Sequence, residues 1–212
     1  MSAVPSNGRP APERVIVAIT GASGAIYGLR ALQLLRELDR IEVHLVASAS
    51  ALVTLKHETG LDRRVVAAHA DVVHSVNNIG ASIASGSFPV RGMLVAPCSI
   101  KTLSAIAHSY SDNLISRAAD VTLKERRPLV LLVRETPLHL GHLRLMASAA
   151  EAGAVIAPPV PAFYTKPETL DDIVRHTVAR ALAMLGLRAD VPVRQWGGLR
   201  QDGAQEIGTP QE

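Results

Sequence analysis

The sequence predicts an α/β protein with an open, mostly parallel sheet and helices on both of its faces. Residues 15–19 are apolar and rich in β-branched side chains, which is typical of a strand buried on both faces. A turn of small residues follows at 21–25, and leucines then recur at helical spacing, which indicates a strand, a tight turn and a helix. Strand and helix patterns alternate in this way about five times along the chain, as βαβ units do.

The later elements follow from the same patterns. Further apolar runs predict strands at 41–47, 92–96, 129–133 and 154–156. Helical spacing predicts helices at 100–108, 112–126 and 139–151, with Gly153 as a C-terminal stop for the last of them. A final helix is expected from near Thr169 to near Gly186, because acidic residues in its first turn favour the helix dipole. Residues 60–90 are less regular, with a short apolar segment at 72–73.

Composition limits the class of protein. A chain of 212 residues that is 48% hydrophobic predicts one domain, here 14–187, between a flexible N-terminal tail at 1–13 and a C-terminal extension at 188–212. The net charge of +3 and the lack of aromatic residues among the basic ones argue against nucleic-acid binding. No apolar run is long enough to cross a membrane, and residues 1–13 are polar, so we expect a cytoplasmic protein.

The scattered histidines and the single cysteine argue against a metal site and against an intrachain disulfide. His139 and His142 have no obvious third ligand in the sequence. Cys98 follows a strand, where it is either a nucleophile or a buried small hydrophobic residue, and the second interpretation is favoured. We therefore predict no bound metal.

Polar groups follow several predicted strands directly: Ser23, Ser48, Ser99 and Arg134. Ligands of open α/β sheets bind at the carboxyl ends of the strands, so these positions predict one shared site. The first-turn N–H groups after residues 21–25 are expected to point outward unpaired and to bind an anion, usually a phosphate. The alternatives are a plain tight turn at 21–25 and simple helix caps at Ser48 and Ser99.

Three further segments carry charged or phenolic groups. Arg134 and Glu135 follow a buried strand, where they are either a phosphate ligand with an acid–base group or a local ion pair. The basic segment 124–127 closes a helix. For Arg126 and Arg127 the favoured interpretation is a solvated helix C-terminus, whereas the interpretation of Lys124 is left undecided. The residues Tyr164 and Arg180 supply a phenol and a guanidinium, with packing and a solvated helix face as the alternatives.

Taken together, these segments resemble the UbiX family of flavin prenyltransferases. The resemblance covers about residues 14–187 and rests on six ordered segments, at 21–28, 84–87, 97–103, 117–129, 134–138 and 158–164. It implies a Rossmann-like (flavodoxin-like) flavoprotein that joins a dimethylallyl group from dimethylallyl phosphate to N5 and C6 of reduced FMN. It also implies a homododecamer whose sites are completed by neighbouring subunits, and a UbiD-type decarboxylase that receives the prenylated FMN.

The resemblance also implies roles for individual residues. The FMN-binding set is Gly21, Ala22, Ser23, Ser48, Ser99, Ile100, Lys101, Thr102 and Arg134. The set around the prenyl phosphate is Arg117, Lys124, Tyr164 and Arg180, and the catalytic set is Ser23, Lys124 and Glu135. The sequence departs from some relatives at Ile83, where they carry an aromatic residue, so the shape of the prenyl pocket is expected to differ.

Two other functions fit the same fold class. One is an FMN-dependent cysteine decarboxylase, which needs a catalytic histidine and peptide recognition that the sequence does not reveal. The other is a non-catalytic FMN-binding subunit of a decarboxylase complex. A second phosphate site built from Lys124, Tyr164 and Arg180 argues against a mere flavin carrier.

Overall fold

Strands and helices alternate through residues 12–187, the part of the chain that the computed structural model describes. The strands are β1 (Glu13–Ile19), β2 (Ile41–Ala47), β3 (Val72–His74), β4 (Gly92–Cys98), β5 (Leu129–Val133) and β6 (Val155–Ile156). The helices are α1 (Ala25–Arg36), α2 (Ala49–Thr59), α3 (Arg63–Ala67), α4 (Ile100–Ala107), α5 (Leu114–Lys124), α6 (Leu140–Glu151) and α7 (Leu170–Met184). Short 3₁₀ turns lie at Ser82–Ala84 and Phe163–Thr165.

The six strands form one sheet in the order β3-β2-β1-β4-β5-β6, and every strand pair is parallel. The predicted fold class is therefore confirmed. The strand order reverses between β1 and β4, and this reversal is the switch point at which doubly wound sheets bind their ligands. β1 is central and pairs with β2 over its whole length, from Glu13 opposite Ile41 to Ile19 opposite Ala47.

The core has two halves, one on each face of the sheet. Side chains alternate between the faces along a strand, so Val15 and Val17 point to one half while Ile16 and Ala18 point to the other. The first half contains residues of α1, α2 and α7, and the second contains residues of α4, α5 and α6. The helices on both faces confirm the predicted two-sided architecture.

Local signals in the sequence explain most of the boundaries. The Ser48 side chain accepts a hydrogen bond from the backbone N–H of Ala51 and caps α2, as predicted. α7 begins at a capping box in which Thr169 and Asp172 satisfy each other's backbone N–H groups. Gly153, after α6, has a φ of 105°, a conformation that suits glycine.

Several boundaries differ from prediction, among them those of α5, predicted at 112–126 and observed at Leu114–Lys124. Residues 72–74 form the edge strand β3, which a short apolar segment alone did not indicate. β1 begins at Glu13, one residue before the predicted start of the domain at residue 14, and the Glu13 N–H donates to the carbonyl of Arg40. β4 extends to Cys98 rather than ending at residue 96. The only tryptophan, Trp196, lies outside the described residues.

A buried hydroxyl joins the ends of the two central strands. The Thr20 side chain donates to the carbonyl of Pro97 at 2.7 Å and accepts from the N–H of Ser99 at 2.8 Å. On the same side, α1 packs closely on β4, because a Cβ at Gly28 would strike the carbonyl oxygen of Ala96. These two contacts hold the carboxyl end of β4 in a defined position beside the first turn.

Within residues 12–187, no helix combines the length and the apolar character needed to span a membrane.

We predict that Thr20→Val destabilises the protein. Valine keeps the shape of threonine but leaves the Ser99 N–H without its partner and removes one of the two hydrogen bonds that the Pro97 carbonyl accepts, which costs about 1–3 kcal/mol. The measurement is the free energy of unfolding from denaturant titration. The control is Thr54→Val, which removes a solvent-exposed hydroxyl bond to Ser50 and should change stability by less than about 0.5 kcal/mol. Equal effects of the two variants would contradict the structural role of Thr20.

Candidate functional site

The carboxyl ends of four adjacent strands form one edge of the sheet, and predicted site residues follow each of them. Ser48 follows β2, the turn 21–23 follows β1, Ser99 follows β4 and Arg134 follows β5. Backbone hydrogen bonds join the neighbouring ends. The Ser48 N–H donates to the Ile19 carbonyl and the Arg134 N–H to the Cys98 carbonyl, each at 3.0 Å, and the Thr20 N–H donates to the Pro97 carbonyl at 3.3 Å. Since neighbouring strands lie about 4.8 Å apart, this carboxyl edge is about 14 Å wide across the four ends.

The serine hydroxyls at this edge cap helices and keep capacity for a ligand. Ser48 Oγ accepts from Ala51 and lies 3.1 Å from Ser50 Oγ. Ser99 Oγ accepts from the N–H of Thr102 at 3.4 Å and donates to Thr102 Oγ1 at 3.2 Å. A hydroxyl has one donor and two acceptor positions, so capping and ligand binding are compatible. The capping alternative is therefore confirmed without excluding the binding role.

The structure corrects one expectation about the turn at 21–25. The N–H groups of Gly24 and Ala25, expected to be unpaired, both donate to the carboxylate of Glu58 on α2, at 3.0–3.1 Å. A carboxylate at a helix N-terminus is favourable because it faces the positive end of the helix dipole. Sequence reasoning missed Glu58 because it lies 34 residues away from Gly24 on another helix. The turn thus carries an internal anion where a phosphate was expected.

The rest of the turn is closely packed against α2. A Cβ at Gly21 would strike the side chain of Ser50, so only glycine fits that position. Ala22 is half-buried, and Ser23 is exposed at the carboxyl edge. The turn therefore presents backbone and a single hydroxyl to solvent, a surface that a flat ligand can approach closely.

The first turn of α4 continues this edge. Ile100 is half-buried and packs against the second half of the core, while the Lys101 side chain is exposed and lies 3.5 Å from Asp112. Of the two, Lys101 has a side chain directed to solvent. Ile100 can offer a ligand its backbone and part of an apolar surface.

Arg134 and Glu135 do not form the ion pair that was one alternative. In residues 12–187, none of the observed ion pairs joins them. Glu135 is exposed, and its carboxylate accepts from the N–H of Thr136 at 3.0 Å. Burial raises the pKa of Tyr27 on α1, and the positive charge of Arg134 opposes that shift. Both side chains remain available to a ligand.

Basic residues of α5 and of the segment that follows it hold a loop at the opposite edge of the sheet. Arg127 donates to the carbonyls of Gly86 and Phe88, both at 2.9 Å, and Arg117 donates to the carbonyl of Ala84 at 3.3 Å. The favoured interpretation of Arg127 as a solvated helix end is wrong, because its guanidinium satisfies loop carbonyls. Arg126 is exposed, as expected.

Lys124 lies beside the same loop. Its Nζ is 2.5 Å from the carboxylate of Glu125, and this hydrogen bond lowers the pKa of Glu125. A Cβ added at Gly86 would strike both side chains, so the loop packs directly on them. Arg117 is also paired, with Asp120 at 3.0 Å. Ile83, in the 3₁₀ turn before the loop, is buried in the second half of the core.

Lys124 and Glu135 lie at opposite ends of β5. Lys124 precedes the first residue of the strand, and Glu135 follows its last residue, Val133. The five residues of β5 alone span about 16 Å. The structure therefore does not bring the predicted residues Lys124 and Glu135 together within one chain.

A third group lies in a cavity of about 640 Å³ between the β5–β6 side of the sheet and α7. Its walls are mainly apolar, with Leu132 and Met184 among them. Tyr164 and Arg180 line it, which brings these two predicted residues together. A mainly apolar cavity with a few converging polar groups is typical of a site for a small amphipathic molecule.

Cys98 is fully buried at the end of β4, and burial raises the pKa of its thiol to about 12. A thiol in that state is not a nucleophile near neutral pH. The favoured interpretation of Cys98 as a buried core residue is confirmed.

Among residues 12–187, no group of three His, Cys, Asp or Glu side chains is placed to hold a metal ion.

The fold and the polar carboxyl edge define a class: an α/β protein that binds a nucleotide-like ligand at the switch point of its sheet. The family model described as Flavoprotein matches residues 4–182. A curated relative, the flavin prenyltransferase UbiX of Salmonella typhimurium, is 64% identical over 170 residues, which cover 80% of this chain and 90% of the relative. The chain belongs to the Flavoprotein family and, within it, to the UbiX flavin prenyltransferases.

Solved structures are similar over nearly the same region. A dodecameric FMN-dependent UbiX-like decarboxylase from Escherichia coli O157:H7 has a TM-score of 0.84 and 49% identity, covering 87% of this chain and 100% of that one. The protein AnUbiX (PadA1), solved in complex with FMN and dimethylallyl pyrophosphate, has a TM-score of 0.85 and 48% identity, covering 89% of this chain and 100% of that one.

We predict that Cys98 resists alkylation in the native protein. Incubation with iodoacetamide at pH 8 should leave the intact mass unchanged, because the thiol is buried and protonated. Protein unfolded in guanidinium should gain one carbamidomethyl group, since the chain has one cysteine. As a control, Ser111→Cys places a second thiol at an exposed position, which should react in the native state. If Cys98 in the native protein were alkylated as fast as the cysteine introduced by Ser111→Cys, the assignment of Cys98 to the core would be refuted.

Proposed function

We propose that this chain is a flavin prenyltransferase, which joins the dimethylallyl group of dimethylallyl phosphate to N5 and C6 of reduced FMN. The observation that carries the proposal is the presence of two separate sets of anion donors. Arg134 lies with serine hydroxyls at the carboxyl edge, whereas Tyr164 and Arg180 lie in a mainly apolar cavity. A protein that only carried a flavin would need one such set.

The carboxyl edge suits FMN in its width and in its donors. We assign FMN binding to the predicted set at this edge: Gly21, Ala22, Ser23, Ser48, Ser99, Ile100, Lys101, Thr102 and Arg134. The close packing of Gly21 on Ser50 leaves bare backbone for a flat ring to approach, and hydroxyls and a guanidinium suit a ribityl chain and a phosphate. Reduced FMN, when bound, supplies the nucleophilic N5 atom and the C6 carbon that receive the prenyl group.

The prenyl donor requires both an apolar surface and a charged one. Its phosphate carries about two negative charges, and more charge develops on the bridging oxygen as the allyl group leaves. Tyr164, Arg180 and Lys124 are the donors that we assign to this phosphate. Fixed donors of this kind stabilise a leaving phosphate without a metal ion. Arg117 is bonded to Asp120 and Ala84, so we assign it the supporting position beside Lys124.

Proton handling falls to Glu135 and Ser23, which are both exposed at the carboxyl edge. We assign Glu135 to hold a proton at the phosphate oxygen, as a general acid–base group positioned beside its substrate does. The Ser23 hydroxyl lies on the turn after β1 and can relay a proton at the same edge. Neither residue belongs to the buried core, so substitution at either should leave the fold intact.

Lys124 reaches this site from a neighbouring copy of the chain. Its position at the opposite end of β5 from Glu135 supports a site shared between subunits. We therefore propose a homododecamer, as is named for the similar Escherichia coli structure. We further propose that the product passes to a UbiD-type decarboxylase. A buried free thiol and a reaction on reduced flavin suit a reducing compartment, so the proposed location is the cytoplasm.

We predict that wild-type protein, incubated anaerobically with reduced FMN and dimethylallyl phosphate, yields a flavin whose mass is increased by one prenyl group. Glu135→Gln should keep FMN bound but slow the transfer by roughly 10²–10⁴-fold, which is typical of losing an acid–base group. Mass spectrometry and absorbance of the flavin measure both effects. An unchanged flavin mass with wild-type protein, together with decarboxylation of an aromatic acid by the chain alone, would overturn the proposed function.

We predict that Lys124→Ala and Glu135→Gln complement each other in mixed oligomers. Each variant alone should be nearly inactive, but a site that takes Lys124 from one subunit and Glu135 from another is intact in about a quarter of random combinations. Co-expressed, differently tagged subunits test this, with prenyl transfer by the purified mixture as the measurement.

The matched control is a mixture of Glu135→Gln with Ser23→Ala. Both residues lie at the carboxyl edge of the same chain, so every site in this mixture lacks one of them and activity should not return. Equal recovery of prenyl-transfer activity in the two mixtures, or recovery in neither, would contradict a site that takes Lys124 from one subunit and Glu135 from another.

A further inference from the structure

Glu125 holds the side chain of Lys124, which is assigned above to the prenyl phosphate. Its carboxylate accepts a hydrogen bond from Lys124 Nζ at 2.5 Å. Residues adjacent in sequence do not normally face each other on a helix. They do so here because Lys124 is the last residue of α5 and Glu125 follows it as the helix cap, with φ −84° and ψ 5°. No role for Glu125 was predicted from the sequence.

The loop beside α5 lies directly against this ion pair. Gly86 packs on it so closely that an added Cβ would strike the Glu125 carboxylate and the Lys124 ammonium group. The loop is fixed in turn, because Arg127 donates to the carbonyls of Gly86 and Phe88, both at 2.9 Å. The Phe88 ring packs against the second half of the core. Lys124 Nζ therefore lies between a carboxylate and an anchored segment of backbone.

This arrangement determines which donors of Lys124 are left for a ligand. An ammonium group has three N–H donors on a flexible four-carbon stem, so a free lysine presents them in many directions. The bond to Glu125 uses one donor and restricts the stem, which leaves two donors in defined positions. Donors that are already in place stabilise developing charge without reorganisation during the reaction.

The charge of Glu125 works against a bound phosphate but is screened. The hydrogen bond and the positive charge of Lys124 lower the pKa of Glu125, so its side chain is an ionised acceptor at neutral pH. A carboxylate repels a phosphate, yet this side chain is about one third exposed, and water and salt weaken the repulsion. The effect of Glu125 on the position of Lys124 should therefore exceed its electrostatic effect on the ligand.

We propose that Glu125 is a positioning residue for Lys124: its carboxylate fixes the ammonium group so that the two remaining N–H groups are directed to the prenyl phosphate. The proposal rests on the proposed function, in which Lys124 binds that phosphate in the site of a neighbouring copy. In this role Glu125 touches neither the flavin nor the prenyl group. It acts through Lys124.

The first measurement is kcat/KM for dimethylallyl phosphate in wild type, Glu125→Gln, Glu125→Asp and Glu125→Ala. Glutamine keeps the length of the side chain and an oxygen acceptor without the charge, whereas aspartate keeps the charge but is one methylene shorter. Glu125→Asp and Glu125→Ala should each lose about tenfold, the effect of one hydrogen bond to a charged group, and Glu125→Gln about threefold or less. A purely electrostatic role would give the opposite order, with Glu125→Asp close to wild type.

The second measurement does not depend on turnover. Calorimetric titration of protein loaded with oxidised FMN gives the dissociation constant of dimethylallyl phosphate for wild type, Lys124→Ala, Glu125→Ala and the double variant. Glu125→Ala should weaken binding about fivefold when Lys124 is present. In the Lys124→Ala background it should not weaken binding, because no ammonium group is left to position.

The matched control is Asp62→Asn, which weakens an exposed ion pair between Asp62 and Lys56, 2.9 Å apart, outside the proposed site. It should match wild type in both measurements. The melting temperature and the affinity for FMN should be unchanged in every Glu125 variant, because Glu125 is exposed and is not part of the core.

The outcomes separate the two proposals. Wild-type kcat/KM in Glu125→Ala or in Glu125→Asp, or a weakening of binding by Glu125→Ala of more than about twofold in the Lys124→Ala background, overturns the role of Glu125 while prenyl transfer by wild type stands. Failure of wild type to transfer the prenyl group overturns the proposed function, and the role of Glu125 with it.

Discussion

The alignment of four strand ends at one edge of the sheet is the constraint on which the rest of the structure depends. It is maintained by hydrogen bonds between neighbouring chain segments, and the buried Thr20 hydroxyl joins the two central strands. Parallel strands give every carboxyl end the same direction, so side chains from distant parts of the sequence meet there. Without this alignment, Ser48, Ser99 and Arg134 would be unrelated loop residues. The two-sided core supplies the rigidity that makes the edge a binding surface.

The same geometry separates two residues that the proposed reaction requires in one site. A parallel strand carries its flanking residues to opposite edges, and β5 does so for Lys124 and Glu135. The surface beside α5 is well defined, because Arg117 and Arg127 hold the adjoining loop by hydrogen bonds to its carbonyl oxygens. A rigid basic surface at one edge and a polar edge at the other suit contact between copies of the chain. The proposed shared site would make assembly a condition of catalysis.

Local patterns predicted the strands, the caps and the residues at the strand ends, because those depend on neighbours in sequence. β5 was predicted with its observed bounds, and the capping role of Ser48 followed from its position before a helix. The contacts of Glu58 and Arg127 were missed, since they are made with residues far along the chain or on another element. Edge strand β3 was too short for periodicity to reveal it. The assignments of FMN-binding and prenyl-phosphate residues stay predictions.

The burial of Cys98 has a consequence for durability. Reduced flavins react with molecular oxygen and release peroxide, which attacks thiolates in its vicinity. The chain has one cysteine, and its sulfur lies at the end of β4, beneath the proposed flavin site but sealed from solvent and held as the thiol. Peroxide formed at the carboxyl edge therefore meets no reactive sulfur of cysteine. The protein can therefore bind a reduced flavin that reacts with oxygen without becoming cross-linked or inactivated through its own thiol.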